Sequence, residues 1–285
     1  MKFFAVSRER GADNRKRVDA LAQACNQREV EFVDLLINEV DFLDLPKLGP
    51  GDLLYQVDRG AMVLERMLIR PGVATFYKDF HRALFQQVQL PSFAHHGVPM
   101  PKTIPFVTND QSLLEKYVAE LGGFPVILKV LGLSHGAGVH KVETITDLIE
   151  KLADLSSDQR VIMREFIDQQ QHARLIVIGD RVVDSIEYQA TGEDFRTNAG
   201  DIPSVRSKKF SPEVEATAVK AVRALELEFG GVDIMFDADG NHYVLETNFP
   251  CYFMRAQEAT GTDIAGLMVE YLMEKSQKLQ QDKEI

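Results

Sequence analysis

The chain has 285 residues, 45% of them hydrophobic, with a net charge of −11. That length supports two or three packed units rather than one small module, and the acidic balance argues against a general binder of nucleic acid or of an anionic membrane. The two cysteines, Cys25 and Cys251, allow one distant pairing at most, and a reduced intracellular chain is the reading. The segment Met1–Arg10 is too short in apolar length for a signal peptide. No apolar run approaches the roughly 20 residues of a membrane helix, so a cytoplasmic protein is expected.

In chain order, Phe3–Val6 reads as a strand, Val18–Cys25 as a helix, and Glu31–Val33 and Leu53–Val57 as further strands. This rhythm predicts a small parallel α/β unit over residues 1–96. Leu45–Gly51 is a turn-rich connector. Ala83–His96 is a helix closed by Gly97, after which Pro99, Pro101 and Pro105 hold the chain extended. Residues 97–163 form a second unit, with strands at Phe124–Val130 and Val139–Val142 around a glycine-rich turn from Gly132 to Gly138. A helix capped by Thr146 runs through Leu155, and another strand covers Arg160–Ile167. Residues 164–285 make a third unit. There Arg174–Ile178 and Arg181–Ile186 flank a Gly179-Asp180 turn. Ser211-Pro212-Glu213 opens a helix with its apolar face on Val214, Ala218, Ala221, Val222 and Leu225, and Gly230-Gly231 stops it. A last helix starts near Asp263 with its face on Ile264, Leu267, Met268, Tyr271 and Leu272. The polar end, Lys275–Ile285, is expected to fray.

The most informative segment is Val232–Asp237 and His242–Asn248 around Ala-Asp-Gly-Asn. With Asp239-Gly240 as a two-residue turn, position 237 pairs with 242 and 233 with 246. Asp233 then stands across from Glu246, with β-carbons roughly 5 Å apart, and Asn248 follows on the same face. Ile234, Phe236, Tyr243, Leu245 and Thr247 fall on the other face as core. Like charges placed opposite each other destabilise a sheet. A hard divalent cation held by carboxylate and amide oxygens relieves them; a solvent-facing edge with scattered acids is the plainer alternative. A one-residue change in turn length would break this register.

Lys129 lies inside the apolar strand Phe124–Val130, where an unpaired ammonium is costly, so it should meet an anion. The loop that follows, with Ser134, Gly136 and Gly138, has small residues whose backbone N–H groups can converge on a phosphate; an ordinary hairpin loop is the alternative. It is neither a Walker A motif nor a dinucleotide fingerprint. Val161–Ile167 brings Glu165, Phe166 and Ile167 to a strand end whose peptide groups suit a purine edge. In the next hairpin, the Gly179-Asp180 turn sets Arg174 opposite Ser185 and His172 opposite Glu187. Arg196, in the loop Asp194–Asn198, can hold a phosphate or carboxylate bidentately.

A strand lysine, a glycine hairpin, Met-Arg-Glu-Phe-Ile, Asp-Phe-Arg-Thr-Asn, Val-Asp-Ile and Leu-Glu-Thr-Asn, in that order, resemble the ATP-grasp superfamily. The likeness is greatest to the RimK-like amino-acid ligases and runs from about Gly97 to Gly266. It implies an ATP-grasp fold: a small N-terminal parallel α/β domain, then two α+β lobes enclosing a nucleotide, the second lobe carrying the metal. It also implies an ATP- and Mg²⁺-dependent carboxylate–amine ligase acting through an acyl phosphate, with Mn²⁺ as the alternative metal. Its substrates would be small-molecule or peptide carboxylates and amines, and such enzymes are often homo-oligomers. By motif position, Lys129, Ser134, Gly136 and Gly138 would contact phosphates. Glu165, Phe166 and Ile167 would line the adenine site, and His172 would lie near the ribose. Arg174, Arg196 and Asn198 would surround the transferred phosphate, and Asp233, Glu246 and Asn248 would hold the metal. An ATP-grasp kinase, another non-peptide ligase, or a nucleotide-binding regulatory module without turnover is the alternative. The sequence departs from the family at Phe85-Gln86, where a lysine that touches phosphate is usual and where Lys78, His81 and Arg82 are the alternative cations. It departs again at Ala-Gly-Asp-Ile-Pro after Asn198 and at Phe249–Phe253, the two segments that would border the acceptor.

Overall fold

The computed structural model describes residues 1–78, 89–132, 138–156, 159–168, 171–189 and 204–281. Strands β1 (Lys2–Ser7), β2 (Glu31–Leu36) and β3 (Leu53–Gln56) form a parallel sheet in the order β2-β1-β3, as the α/β rhythm predicts. Helix α1 (Ala12–Gln27) crosses between β1 and β2 and buries Leu21, Ala24 and Cys25 at helical spacing. A short 3-10 turn, Arg59–Ala61, leads from β3 into α2 (Met62–Leu68).

Helix α3 (Gln89–His96) ends where Gly97 takes a left-handed φ of +61° and Val98 N–H donates back to the Phe93 carbonyl. Next come β4 (Thr103–Ile104), α4 (Gln111–Glu120), β5 (Val126–Val130), β6 (Val139–Val142), α5 (Ile145–Ala153) and β7 (Val161–Glu165). Their strands make an antiparallel sheet in the order β4-β7-β5-β6. One face of it packs on Leu114, Val118 and Leu148. Strand β7 runs through residues 163 and 164, where a unit boundary was expected. Thr144, not Thr146, caps α5, accepting a hydrogen bond from the Asp147 N–H. The two threonines are alternative caps by composition, and the side chain with extended backbone takes the role.

The third sheet has the order β10-β9-β8-β11-β12, from β8 (Gln171–Ile178), β9 (Arg181–Tyr188), β10 (Val205–Ser207), β11 (Phe229–Phe236) and β12 (His242–Asn248). Helix α6 (Pro212–Arg223), capped by Ser211, covers one face through Val214, Ala218, Ala221 and Val222, which meet Ala173, Leu175, Val232, Ile234, Phe236 and Val244. Helices α7 (Met254–Thr260) and α8 (Ile264–Gln281) share the other core with the first sheet: Phe3, Leu21, Tyr55 and Phe76 pack with Ile176, Phe229, Phe253 and Met268. The N-terminal unit thus abuts the face of the large sheet that carries Asp233.

Three expectations are corrected here. Gly230-Gly231 does not stop α6, which ends at Arg223; the pair lies inside β11. A Cβ on Gly231 would sit 2.4 Å from the Cys251 sulfur, so close packing, not chain reversal, requires glycine there. Of the segment expected to fray, Lys275–Gln281 is helical, since α8 continues to Gln281; residues 282–285 lie outside the described residues. The Lys275 ammonium is held by the carbonyls of Thr75 (3.0 Å) and Tyr77 (2.7 Å) and by Glu228. In the first hairpin, a register shift between Ile176 and Val177 sets Arg174 opposite Ile186 and His172 opposite Tyr188, rather than Ser185 and Glu187. The extra residue is a β-bulge, which a count outward from the turn cannot register.

Candidate functional site

Asp233 pairs with Glu246 on β12, as predicted, but by a different route. The turn is one residue longer than expected, so Phe236 pairs with His242, Met235 with Tyr243 and Ile234 with Val244. A bulge at Leu245 then restores the count. The longer turn reverses the near end of β12. Val244 is fully buried in the α6 core, whereas Tyr243 and Leu245, expected there, are only partly buried. On its other side Asp233 pairs with Arg174 and Met235 with His172. Two acids and a base thus come from three adjacent strands.

The carboxylates are tightly partnered. Arg174 donates two hydrogen bonds to Asp233, Nε to Oδ1 and Nη2 to Oδ2, both 2.7 Å, a bidentate geometry. Lys129 reaches across from β5 and donates to Glu246 Oε2 at 2.9 Å. The Asn248 amide bridges the pair, Nδ2 lying 3.1 Å from Asp233 Oδ2 and 3.1 Å from Glu246 Oε1. Its Oδ1 accepts from Arg59 Nη2 at 3.2 Å. Burial opposes ionisation of Glu246, but Lys129, Asn248 and Arg174 prevail and hold its pKa down at about 2. Arg174 is shifted the other way. Burial alone would lower its pKa, and Asp233 raises it well above the ordinary value. His172 is 2% exposed, stacked on Tyr188 at 4.6 Å between centroids, with Nε2 3.9 Å from Asp233 Oδ1. Burial pulls its pKa down against the attraction of Asp233.

Strand β12 is a sheet edge, and its outer side is covered by groups that sequence reasoning did not single out. Gln89 forms a two-way bond with Thr247, Nε2 to its carbonyl at 2.7 Å and Thr247 N–H to Oε1 at 2.9 Å. Val244 N–H donates to the Pro99 carbonyl at 2.8 Å. Arg164 on β7 donates from Nη2 to the carbonyl of the bulged Leu245 at 3.3 Å. Its alternation with Met163, a core residue of the small sheet, is the signal that could have placed it on the Lys129 face. Burial lowers the Arg164 pKa, opposed by Glu246.

Gly138 lies where its carbonyl accepts the Val130 N–H. The Glu165 carboxylate accepts the Lys102 N–H at 2.6 Å. Phe166 and Ile167 lie just past the end of β7, half-buried, with the Lys141 ammonium 4.6 Å from the centre of the Phe166 ring. Lys78 is exposed and donates its backbone N–H to the Glu226 carbonyl. Ser134, Gly136, Arg196 and Asn198, with His81, Arg82, Phe85 and Gln86, lie outside the described residues. The structure therefore brings together Lys129, Arg174, Asp233, Glu246, Asn248 and His172. Among the described residues no helix is long and apolar enough to cross a membrane.

Comparison with known proteins gives the same frame. Residues 85–272 match the RimK-like ATP-grasp domain. A probable alpha-L-glutamate ligase of Pectobacterium carotovorum subsp. carotovorum is 31% identical over 98% of this chain and 96% of its own. One from Cellvibrio japonicus is 28% identical over 96% of both. Among solved structures, the ATP-grasp ligase PsnB complexed with a minimal precursor, Mg and ADP superposes with a TM-score of 0.72 at 20% identity, covering 96% of this chain and 97% of that one. The D-alanine–D-alanine ligase of Bacillus anthracis superposes with a TM-score of 0.71 at 16% identity, covering 99% of both. The chain belongs to the RimK-like ATP-grasp family of ATP-dependent carbon–nitrogen ligases.

Proposed function

We propose that this ligase joins an amino acid or a peptide through a substrate carboxylate activated as an acyl phosphate, with Mg²⁺ held by Asp233, Glu246 and Asn248. The observation that carries the metal assignment is the facing pair Asp233 and Glu246, both bonded by the one Asn248 amide. Three oxygen-bearing side chains on neighbouring strands suit a hard divalent ion. To present its oxygen to that ion the Asn248 amide turns over, exchanging Oδ1 and Nδ2. Bound there, Mg²⁺ supplies positive charge to phosphate oxygens in phosphoryl transfer.

A substrate carboxylate oxygen attacks the γ-phosphorus of ATP, and the bond to the ADP oxygen breaks. The amine then attacks the acyl carbon, phosphate leaves and the amine proton is lost. In this reading Lys129 and the loop containing Ser134, Gly136 and Gly138 hold phosphates. Arg174, Arg196 and Asn198 face the transferred group. The peptide groups of Glu165, Phe166 and Ile167 meet the adenine edge. His172, under Tyr188 and beside Asp233, steadies the Arg174–Asp233 pair rather than touching a ribose. Lys129 exchanges Glu246 for a phosphate when ATP enters, and catalysis is mainly positioning and charge neutralisation. The amino-acid or peptide substrate class is supported by relatives named as glutamate ligases and by a neighbour bound to a precursor.

The test is ADP formation over a panel of amino acids and short peptides, with mass detection of the product. Substrate-dependent ADP and a product lighter by one water than its two parts are expected, with loss of turnover in Glu246→Gln and Lys129→Ala. A phosphorylated product would establish a kinase instead. Turnover unchanged in Glu246→Gln would remove the metal assignment.

A further inference from the structure

The carboxyl end of the first sheet carries two guanidinium groups that the proposed chemistry leaves unused. Arg17, on α1, is 7% exposed. Its Nη2 donates to Asn14 Oδ1 at 2.5 Å, and its Nε has no hydrogen-bond partner among the described residues. Arg59, in the turn after β3, is exposed, and its Nη2 donates to Asn248 Oδ1. Among the described residues neither has a carboxylate in an ion pair. Of the acids nearby, Asp13 meets the Tyr252 hydroxyl, and Asp58 is already engaged. It accepts from the Arg8 N–H (2.8 Å), from Asn14 Nδ2 (2.8 Å) and from the Ala61 N–H (3.1 Å). Through Asn14 it ties the helix bearing Arg17 to the turn bearing Arg59.

Other features mark the same place. Ser7 Oγ and Gln56 Oε1, at the last residues of β1 and β3, are buried and without a partner among the described residues. The ring of Tyr252 lies 5.6 Å from the Arg17 guanidinium. Cys251, whose thiol is raised by burial to about 11, feels both Arg174 and Arg17, so the segment from Asn248 to Tyr252, which follows β12, connects the carboxylate cluster to this edge. Residues 249–253 depart from the family pattern, and Arg17 packs against that departure. A buried cation without a counter-ion is costly, and the carboxyl ends of parallel strands are where open α/β sheets take ligands.

We propose that Arg17 and Arg59 form a subsite for the free carboxylate of an amino-acid substrate. Arg17 anchors the carboxylate that does not react, and Arg59 contacts Asn248 beside Asp233 and Glu246. The guanidinium fork matches a carboxylate bidentately, and the Tyr252 ring walls the subsite on one side. This rests on the ligase reading and sharpens it: one substrate is an amino acid, or a peptide ending in a free carboxylate, and not its amide.

The experiment compares free L-amino acids with their α-carboxamides in two readouts, thermal stabilisation of the full chain without ATP and ATP-dependent turnover. The proteins are wild type, Arg17→Lys, Arg17→Gln and Arg59→Gln. The wild type should prefer at least one free acid over its amide. Arg17→Gln should raise KM for that acid by about 10- to 100-fold, the size of a lost charge-assisted hydrogen bond. It should abolish the acid-over-amide preference and leave KM for ATP within about twofold; Arg17→Lys should restore part of the preference. Arg59→Gln, at an exposed position, tests the subsite if Arg17→Gln is unstable, and it should weaken the preference likewise. The proposal is overturned if no free acid is preferred by the wild type, or if the variants keep the wild-type preference. Failure of the ligase reading looks different: no ADP forms with any panel member.

Discussion

The Arg174–Asp233 pair allows a quantitative test of how the site is held. Asp233 is 3% exposed at its side chain and Arg174 17%. Arg174→Met keeps much of the volume but leaves a buried carboxylate facing Glu246 across the strand pair. Removing one partner from a buried ion pair costs about 3–5 kcal/mol. Two groups remain near Asp233, the Asn248 amide at 3.1 Å and the His172 Nε2 at 3.9 Å, so the lower end, about 3 kcal/mol, is expected. That is a large share of the roughly 5–15 kcal/mol that holds a domain together. Urea unfolding near pH 7.5 without divalent cation measures it. The double variant Arg174→Met/Asp233→Asn should recover most of the loss, because the uncompensated charge is gone. Added Mn²⁺ should stabilise Arg174→Met more than the wild type, since the freed carboxylate is a better cation ligand. A loss below about 1 kcal/mol, or a double variant no more stable than the single, would show that the pair does not govern the site's electrostatics.

Three other outcomes are expected. Glu65 is 1% exposed, and burial raises its pKa from 4.5 to about 7 against the opposing bond from Tyr77. The folded state therefore favours the neutral acid, so its stabilising effect is full below pH 4.5 and is lost as pH rises through 7; unfolding free energies from urea titrations at pH 5 and pH 8 should differ by up to about 3 kcal/mol, and Glu65→Gln should flatten that difference. Gly231→Ala would set a methyl 2.4 Å from the Cys251 sulfur and should cost about 1–3 kcal/mol, with part returned in Gly231→Ala/Cys251→Ala; equal melting temperatures of the single and double variants would dismiss the clash. Arg164→Gln should weaken Mn²⁺ binding, read by paramagnetic titration, more than it lowers the melting temperature, because the lost bond is to the bulge that aligns Glu246; unchanged Mn²⁺ affinity would assign Arg164 to lobe packing alone.

What the sequence reveals and what it conceals follow from which interactions are local. The parallel first sheet is legible because Phe3–Val6 and Leu53–Val57 are apolar runs set off by helical spacing and turn residues, all signals within a few positions. The facing of Asp233 and Glu246 is also predicted, yet by two errors that cancel: the turn is one residue longer than Asp239-Gly240 implies, and Leu245 bulges by one. Nothing near Leu245 announces a bulge. Its partners lie far along the chain: the Arg164 guanidinium on its carbonyl and the Pro99 carbonyl on its neighbour's N–H. The same limit hides the contact of Arg59 with Asn248, which joins residues 189 positions apart, and the bond of Gln89 to Thr247, 158 apart. The first hairpin has no second shift to restore the count from its turn: its bulge at Ile176–Val177 stands alone. The bulge at Leu245 is therefore best regarded as an acquired register. Without the bulge the longer turn would pair Asp233 with Leu245; the one extra residue brings the carboxylates face to face, and the small sheet and the linker bond to the backbone at that point.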